Sequence, residues 1–143
     1  MILRVMIVED EDMIRNGLVK TLPWADMGCT VIGSAGDGKS GLEQIIERRP
    51  DVVITDIRMP EMDGFEMLER ALAVYRFHII IFTSYAEFDY AQKAISMHAY
   101  DYLLKPLDEK RLAGMAEGIR ALTALPDHTG RILSQITRPN GMT

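Results

Sequence analysis

Cysteine and histidine are scarce in this sequence. Cys29 is the only cysteine among 143 residues, so no internal disulfide can form, as is typical of proteins of the reducing cytoplasm. The three histidines, His78, His98 and His128, are scattered and show none of the spacings of a metal site. The composition predicts a cytoplasmic protein without a disulfide framework or a histidine-bound metal.

Long apolar runs are also missing. The opening residues, MILRVMIV, are too few for a signal sequence or a membrane span, and acidic residues follow at once. No later segment reaches membrane length. The net charge is −5 and no basic run occurs, so this chain by itself is not expected to contact a membrane or nucleic acid.

Short apolar runs alternate with longer stretches of helical periodicity, and 48% of the residues are hydrophobic. The runs predict strands at 3–8, 29–34, 52–55, 79–83 and 100–104. The periodic stretches predict helices at 12–22, 38–48, 86–97 and 108–122, with another beginning after Asp63. This alternation predicts an α/β fold, in which helices cover both faces of a mostly parallel sheet.

The fourth predicted helix carries two sets of side chains at helical spacing. One set is an apolar stripe of the kind that faces a core: Phe88, Ala91 and Ile95. The other set is expected to face outward: Tyr90, Lys93 and Met97.

The end of the sequence differs from the rest. Residues 123–143 contain two prolines and two glycines and show no helical or strand periodicity. We therefore expect a single domain at 1–122, followed by a linker or a flexible C-terminal tail at 123–143.

Polar residues stand at the carboxyl ends of four predicted strands. Glu9 and Asp10 follow the first strand, Asp56 the third, Thr83 ends the fourth, and Lys105 follows the fifth. Sites in such sheets lie at these strand ends, so the five side chains are expected to converge. Clustered carboxylates suit Mg²⁺, a carboxylate can accept a phosphoryl group, and an ammonium and a hydroxyl can bind the phosphoryl oxygens.

Another motif predicts a different function. GSAGDGKS, at 33–40, fits the phosphate-binding loop G-x-x-x-x-G-K-[ST], and VVITD, at 52–56, resembles the strand that holds magnesium in such nucleotide-binding proteins. A small nucleotide hydrolase or kinase is therefore an alternative, although it leaves Glu9, Asp10, Thr83 and Lys105 unexplained. A haloacid-type phosphatase would need a second aspartate where Arg58 stands.

Four segments together resemble the receiver domain of two-component response regulators: IVEDE (7–11), VVITDIRMPEMDG (52–64), IIIFTSY (79–85) and DYLLKP (101–106). The resemblance covers about residues 2–122. It implies a flavodoxin-like (βα)5 fold with a five-stranded parallel sheet of order 2-1-3-4-5. Finer features, such as LPWADMGCTVIGSAGDG and SYAEFDYAQKAI, are similar to receivers joined to DNA-binding domains of the arabinose-regulator type.

The resemblance implies roles around Asp56. Asp56 would accept the phosphoryl group, and Mg²⁺ would be held by Glu9 and Asp10, directly or through water, and by Asp56 and the backbone carbonyl of Arg58. Glu9 stands where many members have aspartate. Arg58 and Tyr85 occupy positions that tune hydrolysis of the aspartyl phosphate, and their bulk here indicates partial shielding from water.

The resemblance also implies a switch. Lys105 would contact the phosphoryl group, and its peptide bond to Pro106 would be cis. Thr83 would move toward the phosphoryl group, and Tyr102 would swing inward with it. The chain would be a phosphoacceptor that assists its own phosphorylation and dephosphorylation, not an enzyme with a separate substrate.

The implied partners follow from the same resemblance. A sensor histidine kinase would donate the phosphoryl group. The surface formed by the fourth helix, fifth strand and fifth helix would change and could support a homodimer. DNA would be reached only through an output domain that the 143 residues lack, and the tail favours a piece of a longer regulator over a stand-alone receiver.

Overall fold

Five parallel strands alternate with five helices in a computed structural model, which describes residues 2–106 and 108–123. The strands are β1 (Leu3–Val8), β2 (Cys29–Ala35), β3 (Val52–Thr55), β4 (His78–Thr83) and β5 (Asp101–Leu104). The helices are α1 (Asp12–Thr21), α2 (Gly38–Arg48), α3 (Gly64–Leu72), α4 (Phe88–Ser96) and α5 (Glu109–Thr123). The alternation predicted from the hydrophobic pattern is confirmed.

The strands form one sheet of order β2-β1-β3-β4-β5, with every pairing parallel. β3 is therefore the central strand of the sheet, and β1 and β4 flank it. The order implied by the resemblance is confirmed. It matters for the site because the carboxyl ends of these three neighbouring strands meet at one edge.

Strand β1 shows why the sheet needs helices on both faces. Leu3, Val5 and Ile7 point into one core with α1 and α5, whereas Met6 and Val8 point into a second core with α2, α3 and α4. The alternation of side chains along a strand places successive residues on opposite faces. The apolar residues of β1 are thus buried on both faces of the sheet, and Arg4 alone is half-buried.

The only tryptophan of the sequence belongs to the first of these cores. Trp24 is 7% exposed, and its indole Nε1 donates to the carbonyl of Leu18 at 2.9 Å. This bond satisfies the polar atom of a buried aromatic ring. It also ties α1 to the loop that leads into β2.

Aspartate caps fix the beginnings of two helices. Asp37 Oδ1 accepts from the Ser40 N–H at 2.7 Å, and Asp63 Oδ1 accepts from the Glu66 N–H at 2.8 Å. Such a side chain satisfies an amide that has no partner within the first turn. Both helices begin within a residue of the predicted positions.

The prediction for the two sets of side chains on α4 is wrong. Phe88 and Ile95 are each 73% exposed, while Tyr90 and Met97 pack partly buried against the second core. Lys93 alone of the expected outward set is exposed. Ala94, which is 3% exposed, lies on the same face of α4 as Tyr90 and Met97, and its small side chain lets this face approach the sheet.

The predicted tail, 123–143, lies outside the described residues except for Thr123, where α5 ends. Within the part of the chain that the structure describes, no helix combines the length and apolarity that a bilayer crossing requires.

Candidate functional site

The buried polar side chains of the described residues all lie at the carboxyl edge of the sheet. They are Glu9, Thr55, Asp56 and Thr83, and none is more than 5% exposed. Burial of charged groups costs free energy unless they are paired or bind an ion. The two buried carboxylates therefore cost free energy, and they lie at the edge where binding sites form in parallel α/β sheets.

Three carboxylates come together at this edge, as the sequence predicts. One carboxylate oxygen from each of Glu9, Asp10 and Asp56 lies within 4.8 Å of the others. The carboxylates are also oriented by main-chain amides. The Glu11 N–H donates to Glu9 Oε2 at 3.1 Å, and the Ile57 N–H donates to Asp56 Oδ1 at 2.7 Å.

Lys105 supplies the cation of the site. Its Nζ lies 2.7 Å from Glu9 Oε1 and 2.9 Å from Asp56 Oδ2, and its side chain is 10% exposed. Burial by itself would lower the pKa of Lys105, but the two carboxylates outweigh burial and raise that pKa. The ammonium therefore stays charged. Its peptide bond to Pro106 is cis, as the resemblance implies.

Glu9 is held in an unfavourable environment for a carboxylate. Burial raises its pKa and the charge of Asp56 adds to this, whereas Lys105 and the Glu11 amide act in the opposite direction. The Lys105 ammonium forms an ion pair with the buried Oε1 of Glu9, but this oxygen accepts no hydrogen bond of good geometry. A hard divalent cation with oxygen ligands, such as Mg²⁺, fits this donor set.

Gly64 brings the loop after β3 tightly against the acceptor position. Its N–H donates to the carbonyl of Ile57 at 2.7 Å, and a Cβ at Gly64 would overlap the carbonyl of Asp56. Any larger residue would push the loop away. The glycine of MPEMDG is therefore part of the way the chain presents Asp56.

Thr83 and Tyr102 are connected through the main chain of Tyr85. The Tyr85 N–H donates to Thr83 Oγ1 at 3.3 Å, and the Tyr102 hydroxyl donates to the carbonyl of Tyr85. Thr83 is fully buried, whereas Tyr102 is half-buried. The two side chains that the resemblance links in a switch thus both bond the main chain of Tyr85.

Arg58 makes contacts that sequence reasoning missed. Its Nη2 lies 2.7 Å from Glu87 Oε2, and its Nε donates to the Tyr90 hydroxyl at 2.9 Å. The guanidinium also lies over the ring of Tyr85. No local sequence signal could have found these partners, because about thirty residues separate Arg58 from them.

Arg15 is a second residue that the sequence reasoning missed. Its Nη1 donates to the main-chain carbonyl of Glu9 at 2.8 Å, and its Nη2 lies 2.6 Å from Asp12 Oδ1. The helical spacing of Asp12 and Arg15 would have indicated the ion pair. Nothing in the sequence would have indicated the bond to Glu9.

The structure does not support the nucleotide-binding alternative. GSAGDGKS covers the end of β2 and the beginning of α2, and β2 is an edge strand. The Ser40 N–H, an amide of this loop, already donates to the Asp37 carboxylate, and the Lys39 side chain is exposed. The ammonium that contacts the acidic cluster is Lys105, from another part of the chain.

The sequence matches the family model of the response regulator receiver domain over residues 5–117. Transcriptional regulatory protein HptR of Staphylococcus aureus (strain N315) is 38% identical over 132 residues, which are 92% of this chain and 52% of HptR. The uncharacterized transcriptional regulatory protein YesN of Bacillus subtilis (strain 168) is 34% identical over 119 residues, 82% of this chain and 32% of YesN. The chain thus spans about half or less of these relatives.

Solved structures agree with the sequence matches. The REC domain of AraT, a response regulator from Geobacillus stearothermophilus, has a TM-score of 0.76 and 34% identity, with 96% of this chain and 99% of that chain covered. A DNA-binding response regulator of the LuxR family from Staphylococcus aureus has a TM-score of 0.72 and 27% identity, with 82% and 98% covered.

Proposed function

The chain belongs to the response regulator receiver domain family, and from this membership we propose that it is a phosphorylation-dependent switch of a two-component system. One observation carries the proposal. The Asp56 carboxylate is buried, lies within the acidic cluster and is 2.9 Å from the Lys105 ammonium. A nucleophile, a cation and carboxylates that could hold a metal thereby meet at one edge of the sheet.

Asp56 would act as the nucleophile. Its carboxylate oxygen attacks the phosphorus of a phosphohistidine on a sensor histidine kinase, the phosphorus–nitrogen bond breaks, and the imidazole leaves with the bonding electrons. An aspartyl phosphate forms on Asp56. Lys105 is placed to neutralise the new phosphoryl oxygens. The chain would in this way assist its own phosphorylation.

Glu9, Asp10, Asp56 and the backbone carbonyl of Arg58 would hold Mg²⁺. When bound, this ion neutralises negative charge on the transferring phosphoryl group. The buried and poorly bonded Glu9 Oε1 supports this role, because a cation would relieve the repulsion among the three carboxylates.

Thr83 and Tyr102 would carry the change to the surface. A hydrogen bond from the Thr83 hydroxyl to the phosphoryl group would disturb the Thr83–Tyr85 contact and, through it, the Tyr102 hydroxyl. Tyr102 lies on β5, next to α4 and α5 in the switched surface of this family. A two-state equilibrium there would be biased by the charge on Asp56.

The switched surface would act on partners. Phe88, Ile95 and Leu104 are large, exposed apolar side chains on α4 and β5, and we propose that they take part in a homodimer after phosphorylation.

DNA would be contacted only by an output domain, with 1–122 as the receiver and 123–143 as the connection. We also propose that the protein acts in the cytoplasm, which the names of its relatives as transcriptional regulatory proteins support.

Acetyl phosphate with Mg²⁺, or beryllium fluoride as a phosphoryl mimic, tests the proposal. Amide signals of Thr83 and Tyr102 should shift in the unmodified chain and stay unshifted in Asp56→Asn. Asp63→Asn is a matched control, because asparagine still caps α3 and Asp63 belongs to the same loop. A normal response in Asp56→Asn would exclude Asp56 as the acceptor.

A further inference from the structure

The main chain of Glu9 is fixed on both sides. Its N–H donates to the carbonyl of Ala35 on β2 at 3.0 Å, and its carbonyl accepts from Arg15 Nη1 at 2.8 Å. The Arg15 N–H donates in turn to the carbonyl of Glu11 at 2.9 Å. The turn with two of the three clustered carboxylates, Glu9 and Asp10, is therefore attached to α1 through Arg15.

The Arg15 side chain is itself held in one place. It is 18% exposed, although its partner Asp12 is 83% exposed. A Cβ at Gly36 would lie 2.7 Å from Arg15 Nη1, so the guanidinium fills a slot between the turn after β1 and the turn after β2. A planar group with donors on separate nitrogens can bond the Glu9 carbonyl and Asp12 at once.

We propose that Arg15 is a positioning residue for the divalent cation, and that it acts by holding the main chain of Glu9 and Asp10. The inference rests on the proposed function, because it concerns the Mg²⁺ site of the same switch. Arg15 acts through Glu9 and does not itself ligate the ion. Groups that orient metal ligands typically change metal affinity by about 10- to 100-fold when they are removed.

The charge of Arg15 and its hydrogen bond have opposite effects on a bound cation. A positive charge near the site repels Mg²⁺, so loss of the charge alone would tighten binding. Loss of the bond to the Glu9 carbonyl would loosen binding, because the carboxylates would no longer be held in position. The sign of the change in affinity therefore distinguishes the positioning role from a purely electrostatic one.

Mg²⁺ titration of the purified chain, by calorimetry and by the amide signals of Glu9 and Asp10, tests the inference. Arg15→Gln should weaken Mg²⁺ binding by about tenfold. Arg48→Gln is the matched control, because Arg48 Nη1 likewise donates to a main-chain carbonyl, that of Ile32, at 2.6 Å, yet belongs to the α2–β2 contact. Its Mg²⁺ affinity should equal that of the unmodified chain.

Thermal unfolding without Mg²⁺ separates positioning from a loss of stability. Arg15→Gln and Arg48→Gln should both remain folded at the titration temperature, and only Arg15→Gln should lose Mg²⁺ affinity. Arg15→Lys, which keeps the charge, should bind Mg²⁺ more weakly than the unmodified chain and provides the test if Arg15→Gln does not fold. Unchanged or tighter Mg²⁺ binding in the folded Arg15 variant would overturn the inference. Absence of Mg²⁺ binding in the unmodified chain would instead overturn the proposed function, and this inference with it.

Discussion

The guanidinium carbon of Arg58 lies 3.9 Å from the centroid of the Tyr85 ring. Arg58 belongs to the loop after Asp56, and Tyr85 follows the strand that ends at Thr83. This cation–π pair thus bridges the two loops that flank the proposed acceptor. Glu87 and Tyr90 also bond the guanidinium, so Arg58 is held by three partners although half of its side chain is exposed.

This pair should slow the attack of water on the aspartyl phosphate. In this role, water must displace the pair to reach the phosphorus, and displacing an exposed cation–π contact costs about 0.5–1 kcal/mol, so Arg58→Ala should speed loss of the phosphoryl group by about 2- to 5-fold. Release of inorganic phosphate from the phosphorylated chain measures this rate. Arg70→Ala is the control, since Arg70 is an exposed, ion-paired arginine on α3. Equal rates for the two variants would contradict the shielding role.

Replacement of Glu9 by glutamine should weaken the metal site. The substitution keeps the shape of the side chain but removes one of three clustered charges. Loss of a direct ligand should lower the Mg²⁺ affinity at least as much as loss of a group that only orients a ligand, so the affinity should fall by about tenfold or more. Calorimetric titration measures the effect, and Glu117→Gln, at an exposed position of α5, is the control. Retained affinity in Glu9→Gln would remove Glu9 from the ligand set.

Tyr75 should make the stability of the fold fall at alkaline pH. Burial raises its pKa, the charge of Asp51 adds to this, and its hydroxyl donates to the carbonyl of Pro50 at 2.8 Å. The folded chain therefore keeps the proton above pH about 10, where the unfolded chain loses it. The contribution of Tyr75 to the free energy of unfolding is therefore fully present below pH about 10 and decreases as the pH rises further.

Tyr75→Phe measures this contribution. Below pH about 10 the variant should be less stable by about 1 kcal/mol, the usual net value of one hydrogen bond. At higher pH the difference from the unmodified chain should narrow, because phenylalanine has no proton to lose. Urea unfolding across this pH range gives both values. A difference that stays constant with pH would show that Tyr75 titrates alike in both states.

The exposed apolar stripe of α4 should serve association and not folding. Ile95→Ser should change stability by less than about 0.5 kcal/mol, as exposed substitutions usually do. In the presence of Mg²⁺ and beryllium fluoride it should reduce the dimer fraction measured by light scattering. Val74→Ser is the control, because Val74 is 45% exposed and follows α3. The same loss in both variants would show that α4 is not the contact surface.

The helical period of α4 could be predicted from the sequence, but the face that it buries could not. Phe88 and Ile95 are more apolar than Tyr90 and Met97, and yet they lie outside. Burial was decided by fit, since small Ala94 between Tyr90 and Met97 allows close approach to the sheet. An apolar stripe identifies a helix face, while packing decides where that face points.

The strand ends show the opposite case. Glu9, Asp56 and Thr83 could be placed at one edge because parallel strands bring their carboxyl ends together, whatever the loops do. Contacts between long side chains could not be predicted in this way. Arg58 reaches Glu87 and Tyr90 only because β3 and β4 are neighbours and the loops approach. Side-chain geometry of that kind has no periodic signal in a sequence.

Trp24 gives the molecule a natural optical reporter. As the only tryptophan of the sequence, it accounts for essentially all of the indole fluorescence, and it is buried in the core on the α1 and α5 side of the sheet. The surface of α4 packs on the opposite face. The fluorescence of Trp24 should therefore change when the fold is lost and change little when α4 rearranges. A single sample could therefore report stability by fluorescence and rearrangement of α4 by amide signals.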